Sequence, residues 1–390
     1  MPERVTGSYA RSIVAGDAVE AFVPFDLPPS RPALVISDQL ADRLRTAEQA
    51  LLRLDLAGEM VPSLDWFIYA FVRKEAVITS QIEGTQASLV DLLAFEAGEE
   101  APSPDLEEVT NYLKALTYAR DQMGSARGLP LSIRLLNEAH KRLMTGVRGA
   151  NRQPGAIRTS QNWIGGSRPG NAVYVPPPPE KLPELLSAFE KYVHVDDPTP
   201  ALIRVGLLHV QFETIHPYLD GNGRIGRLLI GLLLEHWGLL KAPLLYISLF
   251  FKRHRAEYYR RLNAVRLEGD WEGWIDFFLD GVATIADEAI ESARTLFTLV
   301  NGDRAGLLES GGASISAIRL FEALPRHPIV TVASSMKLIN ITKPTAIKAI
   351  ETLTEAGILA ETTGRKRDRS FAYAAYMTNL RVGTDDVAIR

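Results

Sequence analysis

The chain has 390 residues, with 43 lysines and arginines against 47 aspartates and glutamates, and no cysteine. That length allows two or three domains with sizeable cores, and 46% hydrophobic with 23% charged residues is ordinary for a globular protein. The lack of cysteine excludes disulfides and thiolate metal sites, and a net charge of -4 gives no whole-chain case for nucleic acid or a membrane surface.

Residues 1–36 are rich in proline (Pro24, Pro28, Pro29, Pro32) and read as an extended arm without the apolar core of a signal peptide. Leu40, Leu44, Ala47, Leu51 and Leu54 stand at helical spacing, which predicts a helix over 37–57 with Ser37 and Asp38 as its cap. Pro62-Ser63-Leu64-Asp65 opens a second helix, Trp66 to about Gln81, that runs into Thr79-Ser80-Gln81-Ile82-Glu83-Gly84. Pro102 and Pro104 precede a helix over 106–123. Another covers 132–144, with Leu135, Leu136, Ala139 and Leu143 on one face. The stretch 153–176 breaks the pattern: two short β-favouring runs flank a Gly/Pro/Ser-rich tip, which predicts a hairpin between helices. Helical patterns at 182–193, 201–214 and 272–298 complete a mostly helical body.

Residues 216–227 read His-Pro-Tyr-Leu-Asp-Gly-Asn-Gly-Arg-Ile-Gly-Arg and lead into the apolar run 228–234, the body of a helix. That run stops at Glu235 and His236, and no apolar run reaches bilayer-spanning length, so a soluble protein of the cytoplasm is expected. A Gly-Asn-Gly turn opening a helix directs free backbone N–H groups at one point, where the helix dipole also favours negative charge. Arg224 and Arg227, three apart, add fixed positive charge for phosphate on one helix face. Asp220 can hold a divalent cation together with substrate phosphate oxygens, and His216 can accept a proton near neutral pH. Each element alone has a plain structural explanation, but together they are the parts of a phosphoryl or nucleotidyl transfer site. Further on, Tyr258 and Tyr259 open a helical run ending near Arg266. Such a pair is more often core than a platform for a bound ring.

From 314 to 376 a separate module is expected. Residues 316–324 and 343–353 are helical, the second with Pro344 in its first turn and Gly357 at its end. The stretch 329–338 reads as a strand passing into a helix, and 358–362 and 370–374 alternate around the basic run 364–369. Helix, turn, helix and basic hairpin resemble a winged helix-turn-helix. Residues 310–390 hold 11 lysines and arginines against 7 acidic residues, so the wing could touch DNA phosphates. A protein-interaction or dimerisation wing is the favoured reading.

The 216–227 stretch resembles the signature of the Fic family, HPFx(D/E)GN(G/K)RxxR, at every defined position but the third. There Tyr218 stands for phenylalanine, and its ring is expected to pack inward with a partner for its hydroxyl. The resemblance implies a mainly α fold, with a Fic helical core and a β-hairpin flap. It divides the chain into a helical N-terminal region with an inhibitory helix (1–125), a Fic catalytic domain (126–299) and the winged-helix domain (300–390). It also implies transfer of AMP from ATP, with Mg²⁺, to a Ser, Thr or Tyr hydroxyl of a protein, including this chain itself.

On that resemblance His216 would deprotonate the acceptor and Asp220 would bind Mg²⁺. Gly221, Asn222 and Gly223 would cradle the phosphates, with Ile225 and Gly226 in the same turn, and Arg224 and Arg227 would hold the β- and γ-phosphates. Tyr258 would lie against the nucleotide, as would the flap residues Ile164, Gly165, Gly166 and Ser167. Ser167 departs from the histidine that the family often has there. The flap would hold its target by strand addition. Thr79, Glu83 and Gly84 fit the family's inhibitory pattern (S/T)xxxE(G/N), which implies that Glu83 pairs bidentately with Arg227 and keeps the γ-phosphate from it. A DNA-binding regulator with the Fic domain as nucleotide sensor is the alternative; an intact His216 and Asp220 favour chemistry. A homodimer also stays open.

Overall fold

The computed structural model describes residues 4–384 apart from 15, 31, 61–63, 99–100, 102, 147–150, 311–312 and 365–367. The N-terminal segment is not an extended arm but a β-hairpin. Strands β1 (Gly7–Val14) and β2 (Asp17–Pro24) pair antiparallel, with Gly7 opposite Pro24 and Val14 opposite Asp17. Gly16 supplies the positive φ that so short a connection needs. The prolines that suggest an arm begin only where β2 ends.

Five helices follow: α1 (Asp38–Met60), α2 (Leu64–Ile82), α3 (Leu89–Ala97), α4 (Pro104–Gly124) and α5 (Ile133–Leu143). Pro62 and Ser63 lie outside the described residues. Sequence periodicity did not anticipate α3, although its ends are signalled. Ser88 and Asp91 form a capping box, and Gly98 closes the helix in the left-handed region. α2 lies deep in the molecule, with Ala70, Ala76, Val77 and Ile78 without solvent exposure.

Next come α6 (Leu182–His194), α7 (Ala201–Ile215), α8 (Asn222–His236), α9 (Ser248–Arg253), α10 (Arg255–Glu268) and α11 (Trp271–Glu309). α7 is buried on every side from Leu202 to Ile215. It can approach α11 because Gly206 has no Cβ, which would fall 2.8 Å from Ile275, and Trp274 donates to the Gly206 carbonyl at 2.9 Å. The expected 153–176 hairpin proves irregular. Ile164 and Tyr174 form an isolated antiparallel bridge around a 3-10 turn at Pro169–Asn171. β2 widens it from outside, Phe22 N–H donating to the Val175 carbonyl at 2.9 Å and Asp17 accepting from Gly170 N–H at 3.0 Å.

The remaining elements are α12 (Ile315–Ala323), β3 (Ile329–Thr331), α13 (Val332–Ile339), α14 (Lys343–Glu355), β4 (Ala360–Glu361), β5 (Ser370–Ala372) and α15 (Ala374–Leu380), with the strands in the order β3-β5-β4. This module is not set apart from the body. α11 passes unbroken through 299 and 300, where the sequence suggests a boundary. Arg326 pairs with Asp65 on α2, and Lys74, also on α2, donates to the Val382 carbonyl at 2.7 Å. Among the described residues no helix is long and apolar enough to cross a membrane.

Candidate functional site

The site grows from the junction of α7 and α8. Pro217 disfavours a helical conformation at the residue before it, so α7 ends at His216, which takes the left-handed region with φ 50°. That conformation is costly for a residue with a side chain and persists only where its surroundings impose it. Buried Arg158 does so, donating to the carbonyls of His216 (2.9 Å), Ser160 (3.2 Å) and Pro177 (2.6 Å), while its own N–H donates to Pro217. One arginine thus ties the histidine to the first leg of the 153–176 segment and to Pro177 just past its end. No sequence pattern marks it.

Burial and the nearby Arg158 lower the His216 pKa to about 4, so the ring is neutral at physiological pH. It leans on the Glu213 carbonyl, and its Nδ1 lacks a well-formed hydrogen bond.

The next residues form a rigid loop. Tyr218 is buried as expected, and its hydroxyl finds Asn137 Oδ1 at 2.9 Å. The Asn222 side chain clamps the Tyr218 backbone from both sides, at 2.9 and 2.8 Å. The Asn222 side chain is therefore committed to the loop, and its backbone N–H lies at the open start of α8. Gly221 has φ 78°, and a Cβ there would fall 2.9 Å from Met144 Sδ. The Asp220 side chain is 47% exposed. One carboxylate oxygen accepts from Gly221 N–H at 2.6 Å, and the other has no hydrogen bond among the described residues.

Helix α8 starts at Asn222 with no side-chain cap, leaving its first N–H groups open to an anion. Buried Arg224 donates to Glu108 on α4 at 3.2 Å, and Glu108 also accepts from Thr85. Ile225 is wholly in the core, and Gly226 packs against α7, where a Cβ would come within 2.2 Å of buried Glu213 Oε1. Gly226→Ala is therefore expected to overpack this helix crossing and cost about 1–3 kcal/mol, read as a lowered Tm. A variant with the wild-type Tm would show the crossing to be loose.

Arg227, with a side chain 1% exposed, is surrounded by acceptors from the end of α2. Nε donates to Thr79 Oγ1 at 2.6 Å, and Nη2 donates to the Thr79 carbonyl at 3.0 Å and to Glu83 Oε1 at 2.6 Å. The expected fork between two carboxylate oxygens and the guanidinium is not formed. Thr79 occupies Nε and shares Nη2, so Glu83 binds through one oxygen. That oxygen would lie 2.4 Å from a Cβ on Gly223, so the carboxylate rests on the turn where the open N–H groups converge. Desolvation pushes the Glu83 pKa up, but Arg227 outweighs it with help from Arg224 and His216, and the group stays ionised below its usual range.

Tyr258 is not on a face open to a nucleotide. It is 1% exposed, its ring stacks on Phe251, and its hydroxyl bonds to His209 Nε2 at 2.8 Å; Tyr259 is the outward one, 40% exposed. Ile164 to Ser167 form the tip approach of the irregular hairpin. Gly165 and Gly166 have φ 68° and 74°, and a Cβ on either would strike Val173 or Asn171. Ser167 bonds only to Asn171 among the described residues. Asn162 donates to the Tyr218 carbonyl at 3.2 Å and so fastens this segment to the loop.

Residues 41–121 match the family described as Fic/DOC family N-terminal, and residues 130–234 match the Fic/DOC family. Relatives include the protein adenylyltransferase Fic of Drosophila persimilis, 30% identical over 288 residues that make up 69% of this chain and 52% of that protein. That of Culex quinquefasciatus is 28% identical over 264 residues, 63% of this chain and 49% of that one. The chain thus spans about half the length of these curated relatives. A Fic family protein from Desulfovibrio desulfuricans shares the fold with a TM-score of 0.57 at 19% identity, over 87% of this chain and 97% of that one. With both domains matched in the order of the chain, and the 216–227 loop folded around His216, this is a Fic-domain protein.

Proposed function

We propose that this chain transfers AMP from ATP to a protein hydroxyl and that Glu83 holds the activity back. The observation that carries the reading is the Glu83 carboxylate itself, an anion resting on Gly223 and Arg227, where the open end of α8 favours negative charge. With Glu83 turned away, the same groups suit the β- and γ-phosphates, Arg227 and Arg224 supplying fixed charge. His216 accepts the proton of the acceptor hydroxyl. The neutral ring carries a lone pair on one of its nitrogens for this. The hydroxyl oxygen bonds to the α-phosphorus as the bond to the β-phosphate oxygen breaks, and pyrophosphate leaves. Asp220, solvent-facing with one carboxylate oxygen uncommitted, suits Mg²⁺, which takes one or two carboxylates plus phosphate oxygens and neutralises developing phosphate charge when bound.

The test is incubation with ATP labelled at the α- or the γ-phosphate. Protein-bound label from the α-position alone is expected. Label from the γ-position would make the chain a phosphotransferase, and none from either, in wild type or Glu83→Gly, would overturn the reading in favour of a nucleotide sensor. The flap reading has its own check. Gly165→Pro or Gly166→Pro cannot keep a positive φ, and each should lower labelling of a protein acceptor by about tenfold, ~1.4 kcal/mol, with ATP affinity largely retained. Unchanged acceptor labelling would exclude strand addition here.

A further inference from the structure

His140 on α5 carries none of the roles above, yet it sits between the two segments that build the site. Its ring is fully buried and lies parallel to Tyr218, with centroids 3.8 Å apart and planes within 5°. Gly155 N–H donates to Nδ1 at 2.8 Å, so Nδ1 holds the lone pair; the single ring proton is then on Nε2, which donates to the Asp220 carbonyl at 3.0 Å. Both nitrogens are used, by two loops 65 residues apart. Gly155 begins the leg that carries Arg158, and Asp220 begins the turn that opens α8. A Cβ on Gly221 would fall 3.4 Å from the same ring, in ordinary contact, and 2.9 Å from Met144 Sδ, so the turn lies directly against His140.

We propose that His140 is a positioning residue that sets the Asp220–Gly223 turn against the base of the flap. Through the Asp220 carbonyl it fixes the direction of the Asp220 carboxylate and of the N–H groups behind it. Through Gly155 it ties that turn to the segment that holds His216 by way of Arg158. The phosphate side and the acceptor side of the site thereby share one rigid reference. The proposal rests on the transfer reading above, since it supposes that triphosphate meets this turn. A satisfied core histidine would look similar in burial and would differ in what its halves do.

The two halves can be removed separately. In His140→Gln the side-chain amide nitrogen reaches the place of Nε2 and keeps the bond to Asp220 while losing Gly155. In His140→Asn the amide oxygen takes the place of Nδ1 and keeps Gly155 while losing Asp220. His140→Phe keeps the stack on Tyr218 and loses both. In the full chain carrying Glu83→Gly, self-labelling is measured against Mg·ATP concentration, together with Tm and calorimetric Mg·ATP affinity.

The glutamine variant should retain most of the parent's kcat/KM, whereas asparagine and phenylalanine should each lose about tenfold or more, mainly through KM for Mg·ATP. The asparagine loss should come without a matching fall in Tm relative to glutamine. Should the asparagine variant not fold, phenylalanine is read in its place. Equal losses in glutamine and asparagine, or a larger loss in glutamine, would overturn the proposal. If the parent labels nothing, the transfer reading falls, and the His140 assignment is then decided by whether Mg·ATP binds the glutamine variant more tightly than the asparagine one.

Discussion

His216→Ala is expected to abolish AMP transfer while ATP affinity stays nearly intact, because on the proposed reading the ring meets the acceptor hydroxyl and not the phosphates. General-base groups contribute roughly 10²–10⁴-fold, so the Glu83→Gly form, with its higher starting rate, is the background in which to measure the loss. The left-handed backbone at 216 is held by Arg158 bonding to main-chain carbonyls, so truncating the side chain leaves that anchor in place. Transfer within a few-fold of the parent would reject His216 as the base. The pH profile is a second reading of the same group. Burial holds the ring near about 4, so it is already deprotonated across the neutral range. kcat/KM should stay level as the pH falls from 8 to about 5.5, where a histidine at its ordinary value would halve it near 6.5.

Glu83→Gly should act in the opposite direction and raise transfer. The substitution removes the oxygen lying over Gly223 and frees one of the two Arg227 Nη2 N–H groups, while Thr79 still accepts from Nε through its hydroxyl and from Nη2 through its carbonyl. Breaking a buried pair can be worth several kcal/mol, but the Glu83 side chain is 34% exposed and its contact uses one oxygen, so the effect is discounted. About 1.4–2.8 kcal/mol gives a gain of roughly ten- to a hundredfold in self-labelling. Arg227→Ala should not reproduce the gain, because it removes a phosphate contact together with the partner of Glu83. Self-labelling of Glu83→Gly no faster than wild type would make Glu83 an ordinary helix-end carboxylate. Label on the Glu83→Gly/His216→Ala double variant would mean that the chemistry belongs to another group.

The 216–227 loop was legible because its parts are contiguous: proline ends one helix, glycine turns the chain, and an apolar run begins the next helix. The helices α1 and α5 are legible for the same local reason, periodic leucines and alanines, and α2 and α4 from the prolines that precede them. The pairing of Glu83 with Arg227 spans 144 residues and entered only through the family pattern, which did not reveal that Thr79 displaces the fork. Arg158, His140 and Glu108 left no trace in the sequence, since each is a single polar residue whose partners are backbone atoms or side chains distant in the chain. Tyr258 and Tyr259 are neighbours about 100° apart around a helix, and only the packing of α10 on Phe251 decides that the first is core. The N-terminal hairpin was hidden by prolines that lie at and beyond its end.

The burial of α2 carries a consequence for how such a protein would be switched. The helix leading into Glu83 is part of the molecular core and is held from its far side by Asp65 with Arg326 and by Lys74 with the Val382 carbonyl, so it cannot swing away as a lid does. Glu83, however, stands one residue past the helix end, in a turn, and can leave Arg227 by rotating its side chain alone. On the proposed reading the resting state is then a fast equilibrium and not a latch. With a gap of ~2 kcal/mol, about 3% of molecules would be open at any instant, exchanging at the rate of rotamer hops and small turn motions. Such a chain always turns over slowly, and a modulator need only tilt one side chain's preference at residues 83–85 to scale that idling rate up or down.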